Sequence, residues 1–336
     1  MEQNDIIRLT SAELSQLWTS YMNDSMAICV IKYFLVHAED QDVVSILNEA
    51  LRLSETHVKE IAAIFESVQQ PIPLGFTEKD VDLNAPRLFS DTFCFIYLQN
   101  MARLGTTAYG FALPLMSRED TIAYYEKCLA SSSELVTKLT SAMLKKGIYS
   151  RTPYIPTSEQ VKFIEKQGYM HGYFGKRRPL TGFETTSIFV CLLTNIFGKV
   201  LLTGYAQVAK TKKVREYMAR GVKIATKHTE VFESILKEDN LSSPPTWDSE
   251  VTTSTVSPFS DKLMMFHTRA FSEASIANYG AATSTSMRHD LIPQFFRLAT
   301  EMGKFGDDGV EIMIDHKWLE EQPMAADREK IFREGK

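Results

Sequence analysis

Two histidines, one in each half of the chain, are the residues with the greatest capacity for chemistry. His57 and His228 both lie on an apolar stripe of a predicted helix, where apolar residues recur at spacings of three and four. An imidazole in such a position can bind a metal ion, transfer a proton, or be a core residue whose hydrogen bonds are satisfied. The neighbours of each histidine therefore decide between chemistry and structure.

The nearest expected neighbours come from the preceding helix. If each histidine-bearing helix is one arm of an antiparallel helical hairpin, residues equidistant from the turn lie at the same level. This pairs Asp24 with His57 in the first half and Asn195 with His228 in the second half. All four residues fall on stripes that should face the interior, so the sequence predicts two buried polar pairs.

In the second half, a metal or small-ligand site is one interpretation. A parallel run of the second and third helices brings Glu273 to the level of His228, and the final hairpin brings Glu301 there. The first half has Arg103 and Ser131 instead. His228, Glu273 and Glu301 are thus candidate ligands for a single metal ion. The competing interpretation, which we favour, is that both histidines are core residues satisfied by a carboxylate or an amide.

A carboxylate-bridged di-iron centre is not expected in either half. Such centres take Glu-x-x-His from each of two helices in a bundle. Three residues before His57 stands Ser54, and three residues before His228 stands Ala225. The fourth predicted helix of the bundle contains no histidine. Beyond the single metal ion considered above, no cofactor is predicted.

The helices that carry these residues are duplicated. Residues 89–120 and 259–290 align without a gap: both open with Phe-Ser-Asp, both contain Tyr-Gly near the middle, and both close with Arg-x-Asp. In each half, apolar spacing predicts four helices joined by a short, a long and a short connection. We therefore predict an all-α fold, a tandem duplication of a ferritin-like four-helix bundle with one long crossover per bundle.

The repeated Phe-Ser-Asp has its own local interpretation. Ser90 and Ser260 are predicted N-caps of the third helix of each bundle. Asp91 and Asp261 follow them, where a carboxylate is favoured by the positive end of the helix dipole. These four residues are expected to be helix caps that recur in both repeats.

The predicted domains are residues 1–146 for the first bundle and 180–336 for the second bundle with a C-terminal tail. Between them, residues 147–179 are rich in proline, glycine, aromatic and basic residues, and we expect this linker to pack across the joint. It includes a basic run at 176–178 beside Tyr173 and Phe174. That run could bind a phosphate or an acidic partner, although solvated linker is the more common role of such a run.

Several motifs together resemble a known family. They are PIPLGFTEKDV in the first crossover, the pair RLFSDTF and PFSDKLMMFH, GYFGKRRPL in the linker, and TWDSEV in the second crossover. In these the chain resembles an uncharacterised family of tandem ferritin-like proteins from endospore-forming bacteria, related to the coat F spore-coat domain. The likeness covers nearly the whole chain. It implies the fold and a setting in or near sporulation, and it brings no established activity.

Composition narrows the classes of partner. A net charge of -5 gives no basic footprint for nucleic acid or an anionic membrane. The first residues lack the basic and apolar regions of a signal peptide, and apolar runs such as 188–193 are interrupted by polar residues before they reach the length of a membrane span. The four cysteines are isolated in apolar patterns, typical of a reducing compartment. We expect a cytoplasmic or spore-associated protein with protein partners, and self-association into a homo-oligomer stays open.

The leading functional hypothesis is a non-catalytic structural or interaction protein. The alternative is a metal-binding or oxidoreductase-type protein with its site in the second bundle. The sequence contains no Gly-rich phosphate loop, nucleophile elbow or HExxH motif. It therefore favours the first hypothesis and identifies no reaction.

Overall fold

The computed structural model describes residues 8–173 and 177–334. The first half forms α1 (Ser11–His37), α2 (Gln41–Ser67), α3 (Asp91–Ala112) and α4 (Glu119–Lys145). The second half forms α5 (Gly182–Val208), α6 (Lys212–Glu238), α7 (Asp261–Thr285) and α8 (Leu291–Asp315), followed by a short α9 (Arg328–Glu334). Each half has the short, long, short connections that the sequence predicts, so the all-α duplicated fold is confirmed.

The first helix of each bundle starts at the same kind of cap. Thr10 and Glu13 form a reciprocal capping box at the start of α1, and Thr181 and Glu184 form one at the start of α5. In both cases the threonine hydroxyl accepts from the glutamate N–H while the glutamate carboxylate accepts from the threonine N–H. The repeated threonine and glutamate thus fix where each bundle begins.

Each of these glutamates is fully buried and has a second role. Glu13 Oε1 accepts the backbone N–H groups of Ser117 and Arg118, at 3.0 and 2.9 Å, in the connection between α3 and α4. Glu184 does the same for Met287 and Arg288 in the second bundle, at 3.1 and 3.0 Å. Burial raises the pKa of Glu13, but these hydrogen bonds lower it more, to about 2. One buried carboxylate therefore ties the start of each bundle to its last hairpin.

The two bundles share one hydrophobic core. Phe93 of α3 stacks on Phe197 of α5 with ring centroids 5.7 Å apart, and Tyr33 of α1 meets Phe259 at 5.2 Å. These rings belong to a single cluster of buried apolar residues that runs through both halves. A smaller cluster fills the far end of the first bundle. The halves are thus repeats in sequence but are joined by a continuous core in space.

The long crossovers join the bundles to each other. In the first crossover, Val81 forms an isolated antiparallel bridge with Phe259, just before α7. In the second, Val251 forms one with Phe89, just before α3. The hydroxyl of Ser260 donates to Asp80 Oδ1 at 2.7 Å. Each crossover therefore pairs with the start of the third helix of the opposite bundle.

The prediction that the whole linker packs across the joint is wrong for its middle. Ile148 and Tyr149 pack on the shared core, and Arg178 at the other end pairs with Glu184. Residues 151–168 are almost entirely exposed, and Val161 and Phe163 each expose 89% of their surface. The bundles already bury their apolar faces against each other, so this segment meets no uncovered core.

Helix α5 departs from the expectation that every apolar run is too short for a membrane span. It is long enough, and its most apolar window has a mean hydropathy of 1.7, but 67% of that window is buried inside the protein. A core helix of this kind passes the same composition test as a membrane span. Its apolarity follows from its place in the core, because it packs on α6 and α7 and also contacts the first bundle.

Candidate functional site

The first bundle holds His57 of α2 beside Asp24 of α1. His57 Nδ1 lies 3.2 Å from Asp24 Oδ2, and both residues are buried. The Cys128 thiol of α4 also contacts the imidazole. Burial by itself lowers the pKa of His57. The hydrogen bonds and charges of Asp24 and Cys128 have the larger, opposite effect and raise this pKa to about 10. The group at neutral pH is therefore an imidazolium paired with a carboxylate.

Tyrosines close this pair off on the side of α3 and α4. The rings of Tyr109 and Tyr124 each lie with their centroids 5.9 Å from that of His57. Burial, and next the negative charge of Asp24, raise the pKa of Tyr109 well above its usual value. The hydroxyl of Tyr124 is buried with no hydrogen-bond partner in the described part of the chain. The buried ion pair and the two tyrosines thus bring together side chains from all four helices of the first bundle.

The second bundle holds a neutral imidazole in a hydrogen-bonded network at the equivalent place. His228 Nδ1 lies 2.9 Å from the Tyr279 hydroxyl, and His228 Nε2 lies 3.2 Å from Glu301 Oε2. Asn195 Nδ2 lies 2.8 Å from the same Tyr279 hydroxyl and 2.7 Å from the carbonyl of Cys191. Burial lowers the pKa of His228, and Glu301 offsets only part of this effect. The imidazole is therefore neutral at physiological pH.

Tyr279 is the member of this network that the sequence reasoning missed. Asn195 and His228 meet through its hydroxyl, where a direct pair was expected. The signal that could have found it was present, because Tyr279 is the tyrosine of the duplicated Tyr-Gly and Tyr109 is its counterpart. Each repeat places this tyrosine against its histidine, with ring centroids 5.9 Å apart for His57 and 5.8 Å apart for His228.

The structure does not assemble the predicted trio of metal ligands. Glu301 reaches His228, but Glu273 lies at the surface with 60% of its side chain exposed and pairs with Arg269 one turn away on α7. The core-facing side of α7 carries Ser275 instead, which is buried. Within residues 8–173 and 177–334, no group of three or more His, Cys, Asp or Glu side chains is placed to hold a metal ion.

The repeated Phe-Ser-Asp does more than cap a helix. Ser90 Oγ accepts the Phe93 N–H at 3.2 Å, and Ser260 Oγ accepts the Leu263 N–H at 3.1 Å. Asp91 Oδ2 accepts two backbone N–H groups at the turn between α1 and α2, at 3.0 and 2.7 Å. Asp261 accepts the corresponding pair between α5 and α6, at 3.1 and 2.8 Å. Each aspartate therefore anchors a neighbouring hairpin turn.

The basic run of the linker is paired within the protein where it can be described. Arg177 lies 2.9 Å from Glu238, and Arg178 makes a two-pronged ion pair with Glu184. The guanidinium of Arg178 also lies 4.1 Å from the centre of the Tyr169 ring. Phe174 and Lys176 lie outside the described residues. Both arginines therefore already bind carboxylates of this chain.

Fold and interior together define the class: an all-α protein of two tandem four-helix bundles that share one core and enclose a polar network in each bundle. The chain belongs to the DUF3231 family, whose members are described as proteins of unknown function. The family model matches residues 3–161 and again residues 169–331, one match for each bundle. The tandem, uncharacterised family that the motifs indicate is thereby confirmed.

Curated proteins and solved structures provide two further comparisons. Among curated proteins, none matches the chain. Among solved structures, it is similar to a candidate spore coat protein from Bacillus halodurans C-125, with 14% sequence identity and a TM-score of 0.41. The match covers 45% of this chain and 98% of that one.

Proposed function

We propose that this chain is a non-catalytic structural or interaction protein. The observation that supports it best is that the histidine inside each bundle, His57 or His228, is bound by other side chains of the protein. His57 is held by Asp24, and both ring nitrogens of His228 have partners. Groups bonded in this way keep helices in register and have no free lone pair for a substrate.

The alternative is a metal-binding or oxidoreductase-type function in the second bundle. The contact between His228 and Glu301 favours it, since these are two side chains of kinds that bind transition metals. Elemental analysis of protein purified without chelator distinguishes the two functions. The alternative requires stoichiometric iron, manganese or zinc that is lost in His228→Gln and retained in His57→Gln. The proposal expects no stoichiometric metal in any of these proteins.

The surface that we propose for interaction is the exposed middle of the linker. Its large apolar side chains are 47 to 89% exposed: Tyr154, Ile155, Val161, Phe163 and Ile164. Soluble proteins rarely leave such a cluster uncovered, and contiguous apolar exposure marks interaction sites. We propose a protein partner with an apolar surface. A spore-associated setting is supported by the motif resemblance to the coat F-related family.

A paired capture experiment tests this surface. Tagged wild-type protein and a Val161→Ser, Phe163→Ser double variant are compared for proteins retained from sporulating cells and for self-association by sedimentation velocity. Leu74→Ser, which changes an apolar residue on the first crossover that is 79% exposed, is the matched control. A partner or self-association lost only in the double variant supports the proposal. Equal retention by all three proteins contradicts it.

A further inference from the structure

A cleft of about 410 Å³ lies between the two bundles. Its walls come from α3 and α4 of the first bundle and from α5 and α7 of the second. Ile96, Thr194 and Phe197 form its buried floor, while Leu104 and Val190 are exposed at its mouth. The volume falls within the range of small-molecule pockets, which are commonly found where two domains meet.

Two polar side chains on one face of α3 line this cleft, and neither is bound to a carboxylate within the described residues. Gln99 is 7% exposed, and its Nε2 has no hydrogen-bond partner in the described part of the chain. Arg103 lies one helical turn further along. Its guanidinium contacts Tyr149, with the ring centre 5.9 Å away, and within the described residues it makes no ion pair. The cleft is thus lined by one cation, and one unused amide donor lies just beneath its surface.

The cleft is also lined by an aromatic residue with an unusual backbone conformation. Trp247 of the second crossover lines the cleft with φ 51° and ψ 26°, in the left-handed region that a bulky residue rarely adopts. Backbone strain of this kind is concentrated at functional sites, where the surrounding structure maintains it. Here the left-handed backbone places the Trp247 indole in a wall of the cleft, and Phe197 forms part of the cleft floor.

We propose that the cleft binds a small carboxylic acid with an apolar body that contains a ring. The carboxylate pairs with the Arg103 guanidinium, and a rotation of the Gln99 amide lets its Nε2–H donate a hydrogen bond to the second carboxylate oxygen. The ring lies against Trp247 and Phe197. This binding activity goes beyond the proposed structural or interaction role, because it involves neither the exposed linker nor the histidine networks.

The test compares phenylbutyrate with its neutral amide, phenylbutyramide, by titration calorimetry on the full chain. A charge-assisted hydrogen bond predicts that the acid binds at least about ten-fold more tightly than the amide. Arg103→Met keeps most of the aliphatic volume and removes the charge, so it should weaken acid binding at least about ten-fold. Arg151→Met is the matched control, since Arg151 is an exposed arginine beside Tyr154, and it should bind as the wild type does.

Gln99→Leu separates a binding role from a structural one. Removing an unpaired buried amide should leave the thermal midpoint of the free protein unchanged or higher, while acid binding weakens. The proposal is overturned if millimolar phenylbutyrate produces no binding, if acid and amide bind equally, or if Arg103→Met binds the acid like the wild type. If Arg103→Met does not fold, the wild-type comparison of acid with amide still decides.

Discussion

His57 and His228 occupy corresponding positions on α2 and α6, yet their neighbours give them opposite charge states. Asp24 keeps the first imidazole protonated, whereas burial beside a tyrosine hydroxyl keeps the second neutral. A single difference between the repeats, an aspartate against an asparagine on the preceding helix, accounts for much of this contrast. The two repeats thus place a histidine at the same position, which is charged in the first bundle and neutral in the second.

This difference should be visible in the cost of truncation. His57→Ala leaves the buried Asp24 carboxylate without its partner, and we expect a loss of about 3 to 5 kcal/mol in the free energy of unfolding. His228→Ala should cost about 1 to 3 kcal/mol, because Tyr279 keeps Asn195 and Glu301 keeps Lys227. Urea unfolding of the full chain at neutral pH measures both values. A larger loss for His228→Ala would contradict this account.

The His57 pair should also give stability a dependence on pH. The pKa of His57 is about 10 in the folded protein and about 6.5 in an unfolded chain. Because the folded value is higher, the stabilisation is fully present below pH about 6.5 and is lost as the pH rises through about 10. The stability difference between wild type and His57→Gln should therefore narrow over this window in urea titrations. A constant difference would show that the imidazole is not charged in the fold.

At the scale of elements, the backbone of α5 in the second bundle closely approaches the ring of Phe89 in the first bundle. An added Cβ at Gly204 of α5 would lie 2.5 Å from the ring of Phe89, which itself stacks on Phe93 at 4.2 Å. Phe89 is buried and also meets Phe34 edge-on at 6.2 Å, so little space is left for the ring to shift. The absence of a side chain at this position therefore permits the contact between α5 and the start of α3.

Gly204→Ala should destabilise the protein by about 1 to 3 kcal/mol through overpacking. Gly303 of α8 is the matched control, since an added Cβ there would meet no atom within 4 Å beyond the adjoining residues and backbone of its own helix. Gly303→Ala should instead stabilise by about 0.5 to 1 kcal/mol, the usual gain of alanine over glycine in a helix. Thermal unfolding of both variants compares the signs. A stabilising Gly204→Ala would mean that α5 and Phe89 are less closely packed.

The linker makes a prediction about proteolysis. Lys162 and Lys166 are both exposed in its middle. Brief trypsin treatment of the native protein should therefore cut after Lys162 or Lys166 first, and mass spectrometry of the fragments identifies the site. No cleavage within the linker would favour the fully packed linker that the sequence indicates.

At the scale of the whole molecule, the shared core argues against independent domains. The rings of Phe93 and Phe197 face each other across the joint, and each crossover pairs with the opposite bundle. Separating residues 1–146 from 180–336 would expose these apolar surfaces to water. The sequence boundaries therefore mark repeats, while the core indicates one cooperative unit.

Scanning calorimetry of the full chain should accordingly show one unfolding transition, with equal calorimetric and van't Hoff enthalpies. Either half expressed alone should be unfolded or aggregated, because its joint-facing rings have no cover. Circular dichroism and sedimentation of the two halves provide the second measurement. Two resolved transitions, or a folded monomeric half, would show that the bundles are independent domains.

The sequence by itself determined the helices, the crossovers and the duplication. These features follow from apolar spacing, the Thr-Glu capping pairs and the Phe-Ser-Asp repeat. Each of these patterns involves residues close together in the sequence, so it can be interpreted without knowledge of the fold. Even the level of Asp24 against His57 followed from hairpin geometry. These are all consequences of local periodicity.

Only the tertiary structure decided which side chains meet. A step of one residue turns a helix by about 100°, so an error of one or two positions in facing moves a carboxylate from the interior to the surface. Glu273 is exposed for this reason, while its neighbour Ser272 is buried. Three features depend on how helix faces pack between segments that are far apart in the sequence, which no local pattern encodes. They are the contact of each histidine with the duplicated tyrosine, the shared core, and the cleft at Arg103.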